Sequence, residues 1–175
     1  ISIESLQYGR STSPTTFQPT MNLTMATPDS TTTILTSRAS GKNLISIVVP
    51  VYNEEKNVPR LYERVVDVMD SENDHYDFEI VFTDNRSTDS TFSLLKDIAQ
   101  KDPRVRAFRF SRNFGYHRSI HTGYLKCLGD AAIQLDCDMQ DPPELIPDFL
   151  RKWEEGYQVV YGVRRHRKES LILHG

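Results

Sequence analysis

Asp136, Asp138 and Gln140 alternate along the stretch Asp136-Cys137-Asp138-Met139-Gln140-Asp141-Pro142-Pro143-Glu144, which directly follows the mostly apolar run Ala131–Leu135. A short apolar run of this kind reads as a buried strand. Side chains at i, i+2 and i+4 of an extended segment point to one side. The three residues therefore converge if the backbone stays extended past Leu135. Two carboxylates and an amide oxygen suit a hard cation, Mg²⁺ or Mn²⁺, and leave part of its shell for phosphate oxygens. Asp141 has a different expected role. Asp-Pro-Pro-Glu supplies a cap residue, a proline at the first helical position and a glutamate at the third, which predicts a helix start. Taken alone, Asp-x-Asp reads equally well as a solvated loop.

The chain of 175 residues has room for one domain with a substantial core. A formal net charge of -3 argues against a general nucleic-acid binder. Cys127 and Cys137 make no disulfide framework, and reduced thiols in a cytosolic compartment are expected. No run of 18 or more apolar residues predicts a membrane span. Half of residues 11–40 are Ser or Thr without hydrophobic period, so residues 1–42 are expected to be a disordered tail, with a folded domain over 43–175.

The elements that would position the acidic stretch follow in order. Ile45-Ser46-Ile47-Val48-Val49-Pro50 is an apolar, β-branched strand, after which Asn53 is placed to cap a helix carrying Val58, Leu61, Val65 and Met69. Phe78–Phe82 predicts a second strand and Leu94, Leu95 and Ile98 a second helix. Val105–Phe110 alternates as a third strand, and Gly115–Leu128 reads as a third helix. The Ala131–Leu135 strand, the Asp141-capped helix and a fifth strand at Tyr157–Tyr161 complete the domain. Strands alternating with helices imply an α/β fold, a mostly parallel sheet covered by helices on both faces. Ligands bind such sheets beyond the carboxyl ends of the strands. Polar clusters lie just after each predicted strand: Tyr52-Asn53-Glu54, Asp84-Asn85-Arg86-Ser87, Ser111-Arg112-Asn113, Asp136-Cys137-Asp138 and Arg164-Arg165. Five such clusters on one edge point to a site.

Val49-Pro50-Val51-Tyr52-Asn53-Glu54-Glu55, Phe82-Thr83-Asp84-Asn85-Arg86-Ser87-Thr88-Asp89, Ser111-Arg112-Asn113-Phe114-Gly115 and the acidic stretch resemble family-2 glycosyltransferases. The last two motifs are most similar to the polyprenyl-phosphate branch, which includes dolichyl-phosphate mannose synthase and bactoprenol glucosyltransferases. The resemblance covers residues 44–170 and implies the Rossmann-like GT-A nucleotide-sugar-binding fold. It further implies that Pro50, Tyr52 and Glu54 line a nucleoside pocket and that Asp84 accepts hydrogen bonds from the base. Asp136, Asp138 and Gln140 would hold Mg²⁺ or Mn²⁺ on the donor diphosphate, with Asp136 also against the nucleotide and Asp138 at the reacting centre. Arg164 matches a position associated with the acceptor phosphate and joins Asp138 as a catalytic candidate. Two departures stand out: Asn85 where the family usually has a second Asp, and Arg86 where it has a small residue.

The implied reaction is transfer of one sugar from a UDP- or GDP-linked donor to a polyprenyl (undecaprenyl or dolichyl) phosphate, with inversion, at the cytoplasmic face of a membrane. A phosphate acceptor is already anionic near neutral pH and needs no strong general base, whereas a hydroxyl would. The basic run Arg164, Arg165, His166, Arg167 and Lys168 would attract anionic headgroups. Because the chain ends soon after that run, donor binding without efficient transfer is expected. A polysaccharide-elongating enzyme of the same family, a non-catalytic nucleotide-binding module and a Ca²⁺-binding domain are the rival readings. Arg112 and Asn113 either bind phosphate or fix the loop before the third helix. His117 and His121, four apart, read as a polar helix face rather than a metal pair.

Overall fold

The computed structural model describes residues 2–6 and 41–163. Contacts divide it into two units, of which residues 41–144 form the larger described one. Its elements are β2 (Asn43–Val51), α1 (Val58–Ser71), β3 (Tyr76–Asp84), α2 (Thr91–Lys101), β4 (Val105–Arg109), α3 (Tyr116–Lys126) and β5 (Ala131–Gln134). The other unit holds β1 (Ser2–Leu6), α4 (Ile146–Glu154) and β6 (Val159–Val163), with β1 and β6 paired antiparallel from Ser2 opposite Val163 to Leu6 opposite Val159.

The larger unit is built on a four-stranded sheet in the order β4-β3-β2-β5, every neighbouring pair parallel. β2 sits inside it, with Ile47 opposite Ile80 of β3 on one side and Ile133 of β5 on the other. A strand buried on both faces should read as a nearly continuous apolar run rather than an alternation. β2 does: Ile45, Ile47, Val48 and Val49 have no exposed surface, whichever face they occupy. Helix α1 presents Val58, Leu61, Val65, Val68 and Met69 as a buried stripe at helical spacing, and α2 adds Leu95. Each fully buried Val, Ile or Leu of this core contributes about 1.5–3 kcal/mol.

Helix α3 packs against β2 and β3 on a single small residue. A Cβ built on Gly123 would lie 2.3 Å from Val48 Cγ1, so only glycine permits this approach. Below it, the fully buried Glu79 carboxylate accepts from Ser46 Oγ at 2.6 Å, from the Leu128 backbone N–H at 2.6 Å and from Arg106 at 2.7 Å. A buried charge is tolerable only with such partners. These bonds fasten the α3–β5 connection to β2, β3 and β4, and so set where β5 begins.

Three sequence expectations are corrected. Asn53 does not cap α1. It has a left-handed backbone (φ 55), its side chain accepts from Thr88 N–H, and the helix begins only at Val58, where Pro59 suits the first turn. Asp141 does not start α4 either. A 3₁₀ turn over Pro143–Leu145 precedes the helix, which begins at Ile146 with Pro147 in its first turn, while Glu144 is drawn to Arg64 of α1 through two bonds of 2.9 and 2.6 Å. The fifth predicted strand forms as Val159–Val163 but pairs with β1 rather than extending the parallel sheet, so Ser2–Leu6 is not part of a structureless tail. Among the described residues no helix is long and apolar enough to cross a membrane.

Gly123→Ala is expected to lose about 1–3 kcal/mol in urea unfolding, because the added methyl must displace a buried valine. An unchanged midpoint and slope would show that α3 can shift away from β2 freely.

Candidate active site

Parallel strands send all four following loops to one edge of the sheet, and the polar clusters predicted after β2, β3, β4 and β5 lie there. The fifth predicted cluster, Arg164-Arg165, lies outside the described residues, as does the remainder of the basic run. A cleft of about 330 Å³ opens at this edge. Pro50, Tyr52 and Glu54 line it from the end of β2, Asn85 from β3, Asn113 and Gly115 from the β4–α3 loop, Tyr116 and Ser119 from α3, and Asp136, Cys137 and Asp138 from beyond β5.

The first two loops are zipped together by side chains bonding backbone. Asn53 N–H donates to Ser87 Oγ at 2.9 Å, Glu54 N–H to Thr91 Oγ1 at 2.8 Å, and Ser90 N–H to Glu55 Oε2 at 3.0 Å. Glu54 is held from its far side, where Oε2 accepts from Asn57 Nδ2 at 2.6 Å. Tyr52 remains 46% exposed, an open aromatic face on the wall.

Asp84, expected to contact a base directly, is not on the wall. Its side chain is wholly buried: Oδ1 accepts from the Ser87 backbone N–H at 3.0 Å, and Oδ2 lies 3.1 Å from Arg109 Nε without hydrogen-bond geometry. Arg109 also donates to the Ser87 carbonyl at 2.8 Å and lies over the Phe92 ring. The carboxylate thus holds the β3–α2 loop from behind. Its neighbour Asn85 supplies the surface that lines the cleft.

Beyond β5 the backbone does not stay extended. Residues 137–138 turn and Met139 is left-handed (φ 59), so the alternation that would have brought Gln140 beside the two aspartates is lost. Asp138 Oδ1 accepts from the Gln140 backbone N–H at 3.0 Å, and Gln140 is absent from the cleft wall. Asp136 and Asp138 do share it. Asp136 Oδ1 is already engaged, by the Tyr116 hydroxyl at 2.5 Å and Gln134 Nε2 at 2.8 Å. Burial and then the Asp136 carboxylate push the Tyr116 phenol up to about 12, so at neutral pH it is a donor. Tyr116 and Gln134 were not singled out in the sequence. The same alternation that failed for Gln140 identifies Gln134, two residues before Asp136 and still in β5.

Three carboxylates, Glu54, Asp136 and Asp138, line the cleft, and no Lys or Arg does so among the described residues. Arg112 instead lies over the Phe114 ring. An anionic ligand would therefore be repelled unless a cation accompanied it. Two carboxylates completed by phosphate oxygens and water are a donor set that hard divalent ions accept, so the residues present fit such an ion without Gln140.

Fold and site together describe an α/β domain whose acidic cleft lies at the carboxyl edge of a parallel sheet. The chain belongs to glycosyl transferase family 2, whose family model matches residues 46–172. It is 46% identical over 128 residues to an uncharacterised glycosyltransferase, YkcC, of Bacillus subtilis, covering 73% of this chain and 39% of that protein. It is 41% identical over 131 residues to the undecaprenyl-phosphate 4-deoxy-4-formamido-L-arabinose transferase of Shewanella sediminis (74% and 39% covered). With a prophage bactoprenol glucosyl transferase homolog of Escherichia coli it shares 40% identity over 123 residues (70% and 40% covered). The chain thus spans about two fifths of the length of these relatives. Among solved structures, S. aureus TarS 1-349 matches with a TM-score of 0.52 at 23% identity, covering 63% of this chain and 32% of that one, a likeness of fold. The fold is the GT-A arrangement expected from the sequence motifs.

Two outcomes check this account of the site. Asp84→Asn should cost about 2–3 kcal/mol in chemical denaturation, since it strips the charge from a buried group facing Arg109; a neutral result would remove its loop-holding role. Burial, then Glu54, Asp138 and Asp136, push the Cys137 thiol up to about 12. Because this pKa is raised on folding, the stability it contributes is complete below the unfolded thiol value, about 8.5, and declines as pH rises toward 12. Mass spectrometry after iodoacetamide treatment at pH 8 should find Cys137 unmodified in the folded chain and modified in urea, and rapid native labelling would contradict its burial.

Proposed function

We propose that this chain carries the donor-binding half of a glycosyltransferase that moves a sugar from a UDP- or GDP-linked donor to a polyprenyl phosphate, with inversion, at the cytoplasmic face of a membrane. The observation that carries the reading is the cleft itself: Glu54, Asp136 and Asp138 bring carboxylates to it, the rest of its lining is neutral, and no Lys or Arg lines it among the described residues. Two matched relatives are named as acting with undecaprenyl phosphate or bactoprenol, which supports a lipid-phosphate acceptor.

Asp136 and Asp138 would hold Mg²⁺ or Mn²⁺, which when bound neutralises charge on the leaving nucleoside diphosphate. Tyr116 and Gln134 orient Asp136 by occupying its Oδ1, which leaves Oδ2 for the ion. Asp138, exposed and turned by its bond to the Gln140 backbone, stands at the reacting end. Pro50 and Tyr52 form the nucleoside wall, and Asp84 acts behind it through Ser87 and Arg109. Arg164 remains the candidate for the acceptor phosphate. That acceptor is already anionic, so a protein base is not required to activate it.

Calorimetry of UDP and GDP with Mn²⁺ and with chelator tests the donor site. Binding should require the metal, and Asp138→Asn should weaken it by about tenfold or more while leaving the unfolding midpoint nearly unchanged. Equal affinity with and without metal would remove the ion from the mechanism.

A further inference from the structure

Asn85 and Asn113 form an amide pair at the end of the cleft away from the aspartates, and its hydrogen bonds leave no freedom in how the amides are oriented. A backbone N–H can only donate. Phe114 N–H donates to Asn85 at 2.8 Å, so the atom it meets is Oδ1. Gly115 N–H donates to Asn113 at 2.8 Å, so that atom is Oδ1 as well. With both oxygens assigned, Asn85 Nδ2 faces Asn113 Oδ1 and donates to it at 2.9 Å. Asn85 is 4% exposed, and its own N–H is tied to the Val51 carbonyl at 2.9 Å, so the pair stands on a fixed base. Asn113 Oδ1 thus takes two hydrogen bonds from the protein. Its Nδ2 has no acceptor among the described residues, and Asn113 is exposed on the cleft wall.

We infer that Asn85 sets the base specificity of the donor site by locking Asn113 with its amide N–H outward, so that this end of the cleft takes a nucleobase carbonyl and rejects a nucleobase amine. The inference rests on the nucleotide-sugar reading above. Uracil O4 and guanine O6 are acceptors and satisfy the outward N–H, whereas the amino groups of cytosine and adenine would oppose it donor to donor. A base is favoured over a phosphate at this end by the order of the strands. Asn85 follows β3 and Asn113 follows β4, while Asp136 and Asp138 follow β5, with β2 between. Strands lie about 4.8 Å apart, so the amides stand about two to three spacings from the carboxylates. The metal-bound diphosphate belongs with the carboxylates, which leaves the base for the amides.

An aspartate at position 85 would have a defined consequence. It would still accept from Phe114 N–H. It could not donate to Asn113 Oδ1 and would set a carboxylate oxygen against it, so Asn113 would keep only the bond from Gly115 N–H and its amide would no longer be locked with the N–H outward.

Two isosteric substitutions therefore change the wall by different routes. Asn113→Asp keeps the bonds from Asn85 and Gly115 N–H but replaces the outward donor with an acceptor. Asn85→Asp removes the donor that locks the unaltered Asn113 and leaves it held by Gly115 N–H alone. Binding of UDP, GDP, CDP and ADP with Mn²⁺ should be measured by calorimetry for the original chain and both variants, with the unfolding midpoint recorded for each. The original chain is expected to favour UDP or GDP over CDP and ADP by about tenfold or more, and each variant to lose or reverse that ratio. Asn113→Ala should abolish the preference, and adding Asn85→Asp to it should change nothing further, because Asn85 acts through Asn113. A uniform loss for all four nucleotides, or an unchanged ratio in Asn113→Asp, would overturn this inference while leaving the function standing. No metal-dependent binding of any nucleotide by the original chain would overturn the function and the inference together.

Discussion

The parallel pairing of β2 between β3 and β5 is the constraint on which the rest of the larger unit depends. Antiparallel neighbours would send successive loops to opposite ends of a sheet; parallel ones bring every strand's following loop to the same edge. With both faces of β2 buried, a one-residue slip would gain nothing from facing water, so its register is tied to its neighbours: Ile47 against Ile80 and Ile133, and Val51 against Asp84. At the far end of the same strands, Glu79 and Ser46 anchor the connection into β5. The position of Asp136 is thus set from both ends, by the network beneath β5 and by Tyr116 above it.

The loops themselves are held by polar side chains bonding backbone rather than by apolar burial. Ser87, Thr91, Asp89 and Glu55 satisfy the N–H groups of the facing loop, and Asp84 with Arg109 supports that loop from within. Such bonds are directional, so they position a wall more narrowly than packing alone could. They also explain the burial of Asp84. A carboxylate that accepts from Ser87 N–H and stands against a guanidinium is committed to the scaffold, and the adjacent amide takes the place on the cleft wall.

Charge is distributed across the cleft with a clear division. The acidic end is formed by groups that cannot face a diphosphate unaided, while the opposite end is neutral and hydrogen-bonding. At the acidic end Cys137 is buried and held protonated, so it adds volume to the wall without adding charge. The arrangement lets a metal-bound phosphate group and a neutral ring be accommodated by different strand ends of one sheet.

Much of this was legible in the residues alone. The continuous apolar runs of β2 and β3, the stripe of α1 and the polar clusters after four strands determine a parallel α/β sheet with a site at its carboxyl edge, because burial on both faces and helical period leave direct marks in sequence. The motif around Asp136 and Asp138 likewise marks two residues that do share a wall. What tertiary structure decided lies where one segment's conformation depends on a distant partner. Asn53 is a cap by local rules, yet Thr88 holds its side chain and the helix starts four residues after the expected first turn. Gln140 belongs with the aspartates only if the chain stays extended, and the turn through Met139 removes it. Glu144 completes a local cap on paper, but Arg64, eighty positions away, holds it through two hydrogen bonds. The place of Asn85 rather than Asp84 on the cleft wall, and the direction in which Asn113 points, follow from partners outside the local pattern. Local patterns carry period and burial; which of two adjacent polar groups lines a cleft is settled only when the strands are side by side.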